Sequence, residues 1–175
     1  NQTAVFPNAF PNWLHTPDGD PLWTYNLHYF EYGYEFLWAY QLTNNAAYAQ
    51  HLIALMEDWI EKNPFWHAIS WNPYPLSRRI IVWSTILQHL QHCSAISQIA
   101  ISRCLASLCQ QVEFLANNLE YDVDNNHLIT NARALLWTGL ILDQHPKASE
   151  WRRHGLRILT DEAERQILPD GSHWE

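Results

Sequence analysis

The sequence contains little glycine, no long apolar run and, in its first third, no positive charge. Five glycines occur in 175 residues, none of them between Gly33 and Gly139, and no proline lies between Pro75 and Pro146. Because glycine and proline commonly interrupt helices, these two long stretches favour helical structure. No run of 18 or more uncharged apolar residues is present, so the sequence predicts no membrane span.

The composition excludes disorder and collagen-like structure and indicates one folded domain. The chain is 47% apolar and 16% charged, a balance expected of a globular protein of this length. Its 24 aromatic residues, ten of them Trp, supply more apolar area than a core of this size needs. We therefore expect some aromatic side chains to line a groove.

The charge distribution argues against nucleic acid as a partner. Residues 1–61 contain seven acidic residues and no Lys or Arg, whereas residues 62–175 contain ten basic and eleven acidic residues. The formal net charge is −8, and no basic patch is apparent. Eight of the ten basic residues are Arg, which pairs well with carboxylate or sulfate groups, so an acidic small molecule or glycan is a candidate ligand. Solvated helix faces are the alternative for several of these arginines.

The cysteines predict neither disulfides nor a metal centre. Cys93, Cys104 and Cys109 are an odd set without disulfide spacing, and we expect them to be reduced. His89 and His92 share a helix face near Cys93 and are a weak candidate for a metal site, with surface or packed residues as the alternative. The sequence therefore predicts no metal and no cofactor.

Hydrophobic periodicity predicts an all-α fold. Apolar residues recur at helical spacing in several windows, and no alternating pattern typical of strands competes. The predicted helices lie at residues 31–43, 45–62, 75–92, 95–120, 126–143 and 147–168. Most of the linkers are short, which makes successive helices antiparallel and gives about three helical hairpins.

Proline content divides the chain into two predicted parts. Four of the nine prolines lie within residues 1–21, so residues 1–30 are predicted to form an extended arm rich in aromatics and proline. Residues 31–175 are predicted to form the helical domain. Because three hairpins cannot close a ring and several helices are apolar on more than one face, we expect an incomplete α/α array. Residues beyond Glu175 are expected to complete it, which makes the chain a fragment of a longer protein.

Two aromatic runs are candidate sugar-binding surfaces. Residues 23–30 alternate aromatic rings with hydrogen-bonding groups, as a sugar-binding surface requires, with a purely structural aromatic cluster as the alternative. Residues 71–79 lead from a long loop into the third predicted helix, and two prolines hold this entry rigid. Of Arg78 and Arg79, one is expected to face solvent and the other to hold an anion. The candidate substrate-binding residues from these runs are Tyr25, Asn26, His28, Tyr29, Trp71, Tyr74 and Arg79.

The polar run at residues 122–131 does not form a calcium loop. It begins with the Asp-x-Asp-x-Asn spacing of such a loop, but His127 occupies the position that requires Gly, and Arg133 the position that requires Glu. Asp124, Asn125 or Asn126 is expected to cap the fifth predicted helix.

His127 is the most informative residue of this run. It lies in the first helical turn, four residues before Asn131 and therefore on the same face. The free backbone N–H groups of that turn attract a carboxylate. An Asn and a His at such a position are able to bind and polarise an acidic sugar. His173 and Glu175, at the end of the chain, are added as candidate substrate-binding residues.

Four segments resemble one known family. Residues 125–136, followed by Gly139 and Leu140, are similar to the Asn-His-Leu-Leu…Asn-Ala…Ala-Leu…Gly-Leu stretch of the heparinase II/III-like polysaccharide lyases. Residues 25–30, 71–79 and 167–171 also resemble the helical, alginate-lyase-like N-terminal domain of that family, in the same order. The resemblance covers most of residues 20–175. It implies an incomplete (α/α) toroid followed by a β-sandwich domain, and β-elimination on uronic-acid polysaccharides without a cofactor.

The resemblance also implies roles for individual residues. Asn126 corresponds to the family's carboxylate-neutralising Asn, and His127 to the adjacent catalytic or substrate-binding His. The family's catalytic Tyr follows a Ser-Pro-x-Tyr-His stretch shortly after the position matched by Glu175, so it is expected beyond this chain. The implied partners are an acidic polysaccharide and the C-terminal remainder of the parent protein. We expect the chain to be inactive by itself.

Two alternatives to a lyase remain at this point. The first is a glycoside hydrolase that uses a carboxylate pair, such as Asp122 with Asp124 or Glu31 with Glu35. The second is a helical glycan-binding domain without catalysis. The compartment also stays open: a degradative lyase is expected in the periplasm or outside the cell, whereas unpaired cysteines are compatible with the cytoplasm.

Overall fold

The fold is all-α. The structure, a computed structural model, describes residues 10–14, 16, 19–65, 69–123 and 125–172, except for the side chain at position 125. The regular secondary structure of these residues consists of α1 (Pro21–Tyr29), α2 (Gly33–Thr43), α3 (Ala46–Lys62), α4 (Pro73–Leu90), α5 (Gln98–Ala116), α6 (Asn125–Ile141) and α7 (Ala148–Gln166). Five predicted hairpin helices correspond closely to α2, α3, α4, α6 and α7, and the sixth corresponds to a shorter α5.

The prediction that residues 21–30 are extended was wrong. Residues Pro21–Tyr29 form α1, in which Pro21 occupies the first turn and the Asp20 side chain accepts a hydrogen bond from the Leu22 N–H. Proline is favourable at this position because its fixed φ suits the helix and its missing N–H would have had no helical partner. Asp20 and Pro21 therefore mark the start of a helix. Of the predicted arm, residues 1–9, 15, 17 and 18 lie outside the described residues.

Helix α4 is the centre of the fold. It contacts α1, α2, α5 and α6, and apolar residues are buried on several of its faces. These include Leu76, Ile80, Trp83, Ile86, Leu87 and Leu90. A helix that is apolar nearly all round needs neighbours on every side, as the sequence pattern predicted.

The three predicted hairpins correspond to the pairs α2–α3, α4–α5 and α6–α7, each of which packs together. The α6–α7 contact is especially close because it includes Gly139 and Gly155. A Cβ at position 155 would lie 2.5 Å from the Ala132 carbonyl oxygen and 2.8 Å from the Leu136 nitrogen, both backbone atoms of α6. Among the described residues, no helix is long and apolar enough to cross a membrane.

The start of α4 is joined to α1, α3 and α5 by the buried guanidinium of Arg79. Its Nε donates to Gln111 Oε1 at 2.9 Å, Nη1 to the His28 carbonyl oxygen at 3.1 Å, and Nη2 to the Ser70 carbonyl oxygen at 2.8 Å. The guanidinium carbon also lies 3.9 Å from the ring centroid of Trp59. Burial lowers the pKa of Arg79 to about 9. The side chain therefore still carries its charge at neutral pH, and these partners compensate for its lost hydration.

Gly155→Ala is expected to lower the free energy of unfolding by about 1–3 kcal/mol, because the added methyl group forces α6 and α7 apart. Chemical denaturation of the protein that carries this chain measures the change. Ser149→Ala, at an exposed position of the same helix, is the control and is expected to change stability by no more than about 0.5 kcal/mol. Equal stability of the two variants would contradict close packing of the two helices.

Candidate functional site

An open groove lies where α1, the first turn of α4 and the segment before α6 meet. Its volume is about 380 Å³. Four predicted site residues, from three separate segments, lie in its wall: Tyr25, Tyr29, Tyr74 and His127. The other described residues that line it are Asn72, Pro75, Glu120 and Val123.

Aromatic rings form one wall of the groove. The Tyr74 ring stacks on the His127 imidazole with 4.2 Å between centroids and 27° between planes. Tyr29 meets Tyr74 edge to face at 5.9 Å. Burial, followed by the neighbouring Tyr74, raises the pKa of Tyr29, so its phenol stays protonated at neutral pH. Such a wall offers flat apolar ring faces with hydroxyl groups beside them, and a sugar-binding surface requires both features.

His127 is oriented by a carboxylate. Its Nδ1 lies 3.0 Å from Oε1 of Glu120, and the Glu120 residue is only 8% exposed. Because an ionised carboxylate only accepts hydrogen bonds, Nδ1 carries the proton of this bond. The other ring nitrogen, Nε2, is thereby left for a ligand in the groove.

Glu120 is itself held by Asn131. The Asn131 side chain accepts a hydrogen bond from the Glu120 N–H at 2.9 Å and donates to Glu120 Oε2 at 3.0 Å. It also donates to Ser77 Oγ at 2.9 Å, and Ser77 Oγ donates to the Pro73 carbonyl oxygen at 2.7 Å. The chain of bonds therefore runs from the start of α4 to His127. A network whose members are all satisfied is rigid, so His127 has a fixed position.

Four predicted substrate-binding residues lie in the core instead of the groove. His28, Arg79 and Asn131 have no exposed surface, and Trp71 is 6% exposed. The His28 ring accepts at Nδ1 from Trp59 Nε1 and contacts the Trp13 carbonyl oxygen through Nε2. Trp71 donates from Nε1 to the Asn63 carbonyl oxygen. In this structure their polar atoms bond to other protein groups, and the side chains are buried away from a ligand in the groove.

The two remaining predicted residues that the structure describes, Asn26 and Asn126, are not among the described residues that line the groove. Asn126 is exposed in the first turn of α6, next to His127. Asn26 is exposed on α1 and donates to the Leu22 carbonyl oxygen. His173 and Glu175 lie outside the described residues. Asp124, one of the three residues predicted to cap α6, also lies outside the described residues.

Sequence reasoning missed Glu120, and of the two adjacent arginines it named Arg79, which the structure buries. Glu120 precedes α6 in an irregular segment, and its contacts reach residues seven and eleven positions further along the chain. No local motif marks such a residue. Arg78, not Arg79, contacts the aromatic wall. Neighbouring positions on a helix lie about 100° apart, so the sequence alone left either residue open.

The described residues hold no group of three or more His, Cys, Asp or Glu side chains suited to a metal ion. His89, His92 and Cys93, the weak metal candidate, therefore do not form such a group. Cys93 instead lies 3.3 Å from the Tyr40 hydroxyl.

The sequence matches one family model and is similar to proteins named heparin-sulfate lyases. The family model for the heparinase II/III N-terminus matches residues 6–175. A heparin-sulfate lyase of Bacteroides thetaiotaomicron is 28% identical over 169 residues, which cover 94% of this chain and 24% of that protein. A heparin-sulfate lyase of Pedobacter heparinus is 24% identical, with 94% of this chain and 25% of that protein covered.

Solved structures agree with this fold. Heparinase III superposes with a TM-score of 0.84 at 27% identity, over 93% of this chain and 25% of that one. A heparan sulfate lyase from Pedobacter heparinus gives a TM-score of 0.84 at 23% identity, over 94% and 26% of the two chains. The predicted all-α fold is thereby confirmed as that of the helical N-terminal domain. The chain spans about a quarter of the length of these relatives.

Asn131→Asp is expected to lower the free energy of unfolding by about 3 kcal/mol at pH 7, because it sets a second buried carboxylate against Glu120. The repulsion raises the pKa of the new carboxyl in the folded state. The lost stability therefore returns as the pH falls below that pKa. Thermal unfolding at several pH values measures both effects.

Asn126→Asp is the matched control for this experiment. It makes the same substitution in the same helix at an exposed position, where a negative charge in the first turn is favourable. We expect its stability at pH 7 to equal that of the wild type within about 0.5 kcal/mol. Equal losses in both variants would contradict the buried network.

Proposed function

Because the chain belongs to the heparinase II/III family, as its helical N-terminal domain, we propose that it forms part of a lyase for acidic polysaccharides. The proposed reaction is β-elimination on a uronic-acid-containing glycan. The observation that carries the proposal is the groove in which the imidazole of His127, held by Glu120, stands beside tyrosine rings. The relatives named heparin-sulfate lyases support a glycan of that class as the substrate.

The chemistry of β-elimination explains why such residues are suited to the task. A base removes the proton from C5 of the uronate, the electron pair forms the C4–C5 double bond, and the bond from C4 to the glycosidic oxygen breaks. The C5 proton becomes acidic only when the neighbouring carboxylate is neutralised by hydrogen-bond donors. We assign this task to Asn126, and a well-placed donor of this kind contributes about 3 kcal/mol to lowering the barrier.

The leaving glycosidic oxygen also needs a proton. In the proposal a tyrosine outside this chain donates it, as the family resemblance implies. His127 is able to act as the base only through Nε2, since Nδ1 is bonded to Glu120. The aromatic wall orients the sugar rings so that C5 faces this nitrogen.

A hydrolase is less well supported by the groove. Hydrolysis requires two carboxyl groups on opposite sides of the scissile bond. Among the described residues of the groove wall, Glu120 is the one carboxylate, and its oxygens accept bonds from His127 and Asn131. Glu31 is bonded to Arg78, and neither it nor Glu35 is among the described lining residues.

Replacing Asn126 with Ala is expected to reduce turnover at least about 100-fold, because one donor to the substrate carboxylate is lost. The assay follows the ultraviolet absorbance of the unsaturated product in the polypeptide that carries this chain. Asn118→Ala, which removes an exposed amide from another part of the surface, is the control and is expected to keep full activity.

Three outcomes would contradict the proposal in different ways. Undiminished turnover of the Asn126→Ala variant would remove the assigned role of this residue. Cleavage without ultraviolet absorbance would indicate a hydrolase. Binding of acidic glycan by the wild type without any cleavage would indicate a non-catalytic glycan-binding domain.

Glu120→Gln is expected to reduce kcat about 100-fold while the protein stays folded, because the Gln amide has one acceptor oxygen and cannot accept from both His127 and Asn131, so that His127 is less firmly oriented. The matched control is Glu113→Gln, whose carboxylate lies outside the groove and accepts bonds from Lys147 and Trp151. A positioning role predicts a loss in kcat and a changed pH profile. A rise in KM at unchanged kcat would instead indicate that Glu120 only contributes to substrate binding.

A further inference from the structure

Arg78 brings a permanent positive charge to the edge of the aromatic wall. Its guanidinium carbon lies 5.2 Å from the ring centroid of Tyr29 and 5.9 Å from that of Tyr74. Its Nη1 also donates to the Tyr74 hydroxyl at 3.3 Å. Both tyrosines line the groove. The guanidinium is therefore fixed beside the surface on which a sugar ring would lie.

The other cations of the described chain are less suited to bind an anion there. No Lys or Arg is among the described residues that line the groove. Arg79 is buried and bonded to protein acceptors, while Lys62 pairs with Asp58 within α3. Arg78 is thus the arginine whose contacts reach the groove wall directly.

The present partner of Arg78 is an exposed acid, Glu31. Both Nε and Nη2 of Arg78 donate to one oxygen, Oε1, with the Nε bond at 3.0 Å. The side chains are 33% and 48% exposed for Arg78 and Glu31, respectively. A fork-to-fork pair would use both carboxylate oxygens, and this pair uses one. An exposed pair of this kind contributes little to stability, so a ligand anion is able to replace Glu31 at low cost.

The backbone explains why Glu31 occupies this place. It directly follows Phe30, which ends α1 in the left-handed conformation with φ 65°. Its carbonyl oxygen accepts a hydrogen bond from the Tyr34 N–H. The turn between α1 and α2 therefore delivers one negative charge to the rim of a groove that, under the proposed function, receives a polyanion.

We propose that Arg78 is an anion-binding subsite for a carboxylate or sulfate group of the glycan, and that Glu31 occupies this subsite when no glycan is bound. Glu31 thereby competes with acidic ligands and weakens their binding. This inference rests on the proposed function, since it assigns the group that recognises charge at the same groove.

The test is a double-mutant cycle on binding, measured by calorimetry at low ionic strength in the polypeptide that carries this chain. The probes are a heparan sulfate oligosaccharide, its unsulfated counterpart, which keeps the carboxylates, and an unsulfated, carboxyl-reduced counterpart without charge. Glu31→Gln is expected to tighten binding of the charged probes about two- to fivefold. Arg78→Gln is expected to weaken it about tenfold.

The coupling between the two positions is the decisive measurement. In the Arg78→Gln background, Glu31→Gln is expected to give no gain, because the subsite for which it competes is gone. The control Glu57→Gln removes the same charge from an exposed pair with Arg103, away from the described groove wall, and is expected to change binding less than 1.5-fold, or about 0.2 kcal/mol. A gain with the unsulfated probe identifies the carboxylate as the bound group, and a gain confined to the sulfated probe identifies the sulfate.

Several results would overturn the inference. These are an equal gain from Glu57→Gln, a gain that persists without Arg78, a gain with the uncharged probe, or no gain although the wild type binds charged probes. The proposed function fails separately, since it depends on cleavage. Binding that follows the cycle without unsaturated product would contradict the lyase and leave the subsite intact.

Discussion

The buried guanidinium of Arg79 is the constraint on which the geometry of this domain depends. A charge without contact to water must be surrounded by acceptors, because its desolvation is otherwise very costly. Its acceptors belong to the end of α1, to the segment before α4 and to α5, and the Trp59 ring of α3 covers its face. Satisfying one side chain thus fixes four parts of the chain relative to α4. One of these parts is α1, which together with the start of α4 and its cap residue Asn72 carries most of the described groove wall.

The polar groups around the groove fall into two physical classes. The bonds that join Ser77, Asn131, Glu120 and His127 are largely buried, and breaking any of them leaves a polar atom without a partner. The pair between Arg78 and Glu31 is exposed, so water or a ligand is able to replace either partner. A binding site needs both classes. The buried bonds keep the reacting group in place, and the exposed pair leaves room for the charge of an incoming molecule to be recognised.

The sequence predicted the helices well because their apolar periodicity is a property of local residues. It was wrong about residues 21–30, since Asp20 before Pro21 is a signal shared by turns and helix starts. Four of the residues it named do lie in one groove, yet it could not separate Tyr29, which lines the groove, from the adjacent His28, which is buried. The local sequence could not identify Glu120, because its hydrogen bonds with His127 and Asn131 form only in the folded structure.

The division of aromatic residues between core and groove has an optical consequence. The indoles of Trp13, Trp59, Trp83 and Trp151 are almost completely buried, while the aromatic side chains among the described lining residues of the groove are three tyrosines and one histidine. Intrinsic fluorescence excited at the red edge of the tryptophan band therefore includes these core indoles but none of the described lining residues of the groove. Occupation of the groove is better followed through phenol absorbance or through imidazole resonances in nuclear magnetic resonance spectra. The two processes, unfolding and ligand uptake, are thus spectroscopically separable without any added label.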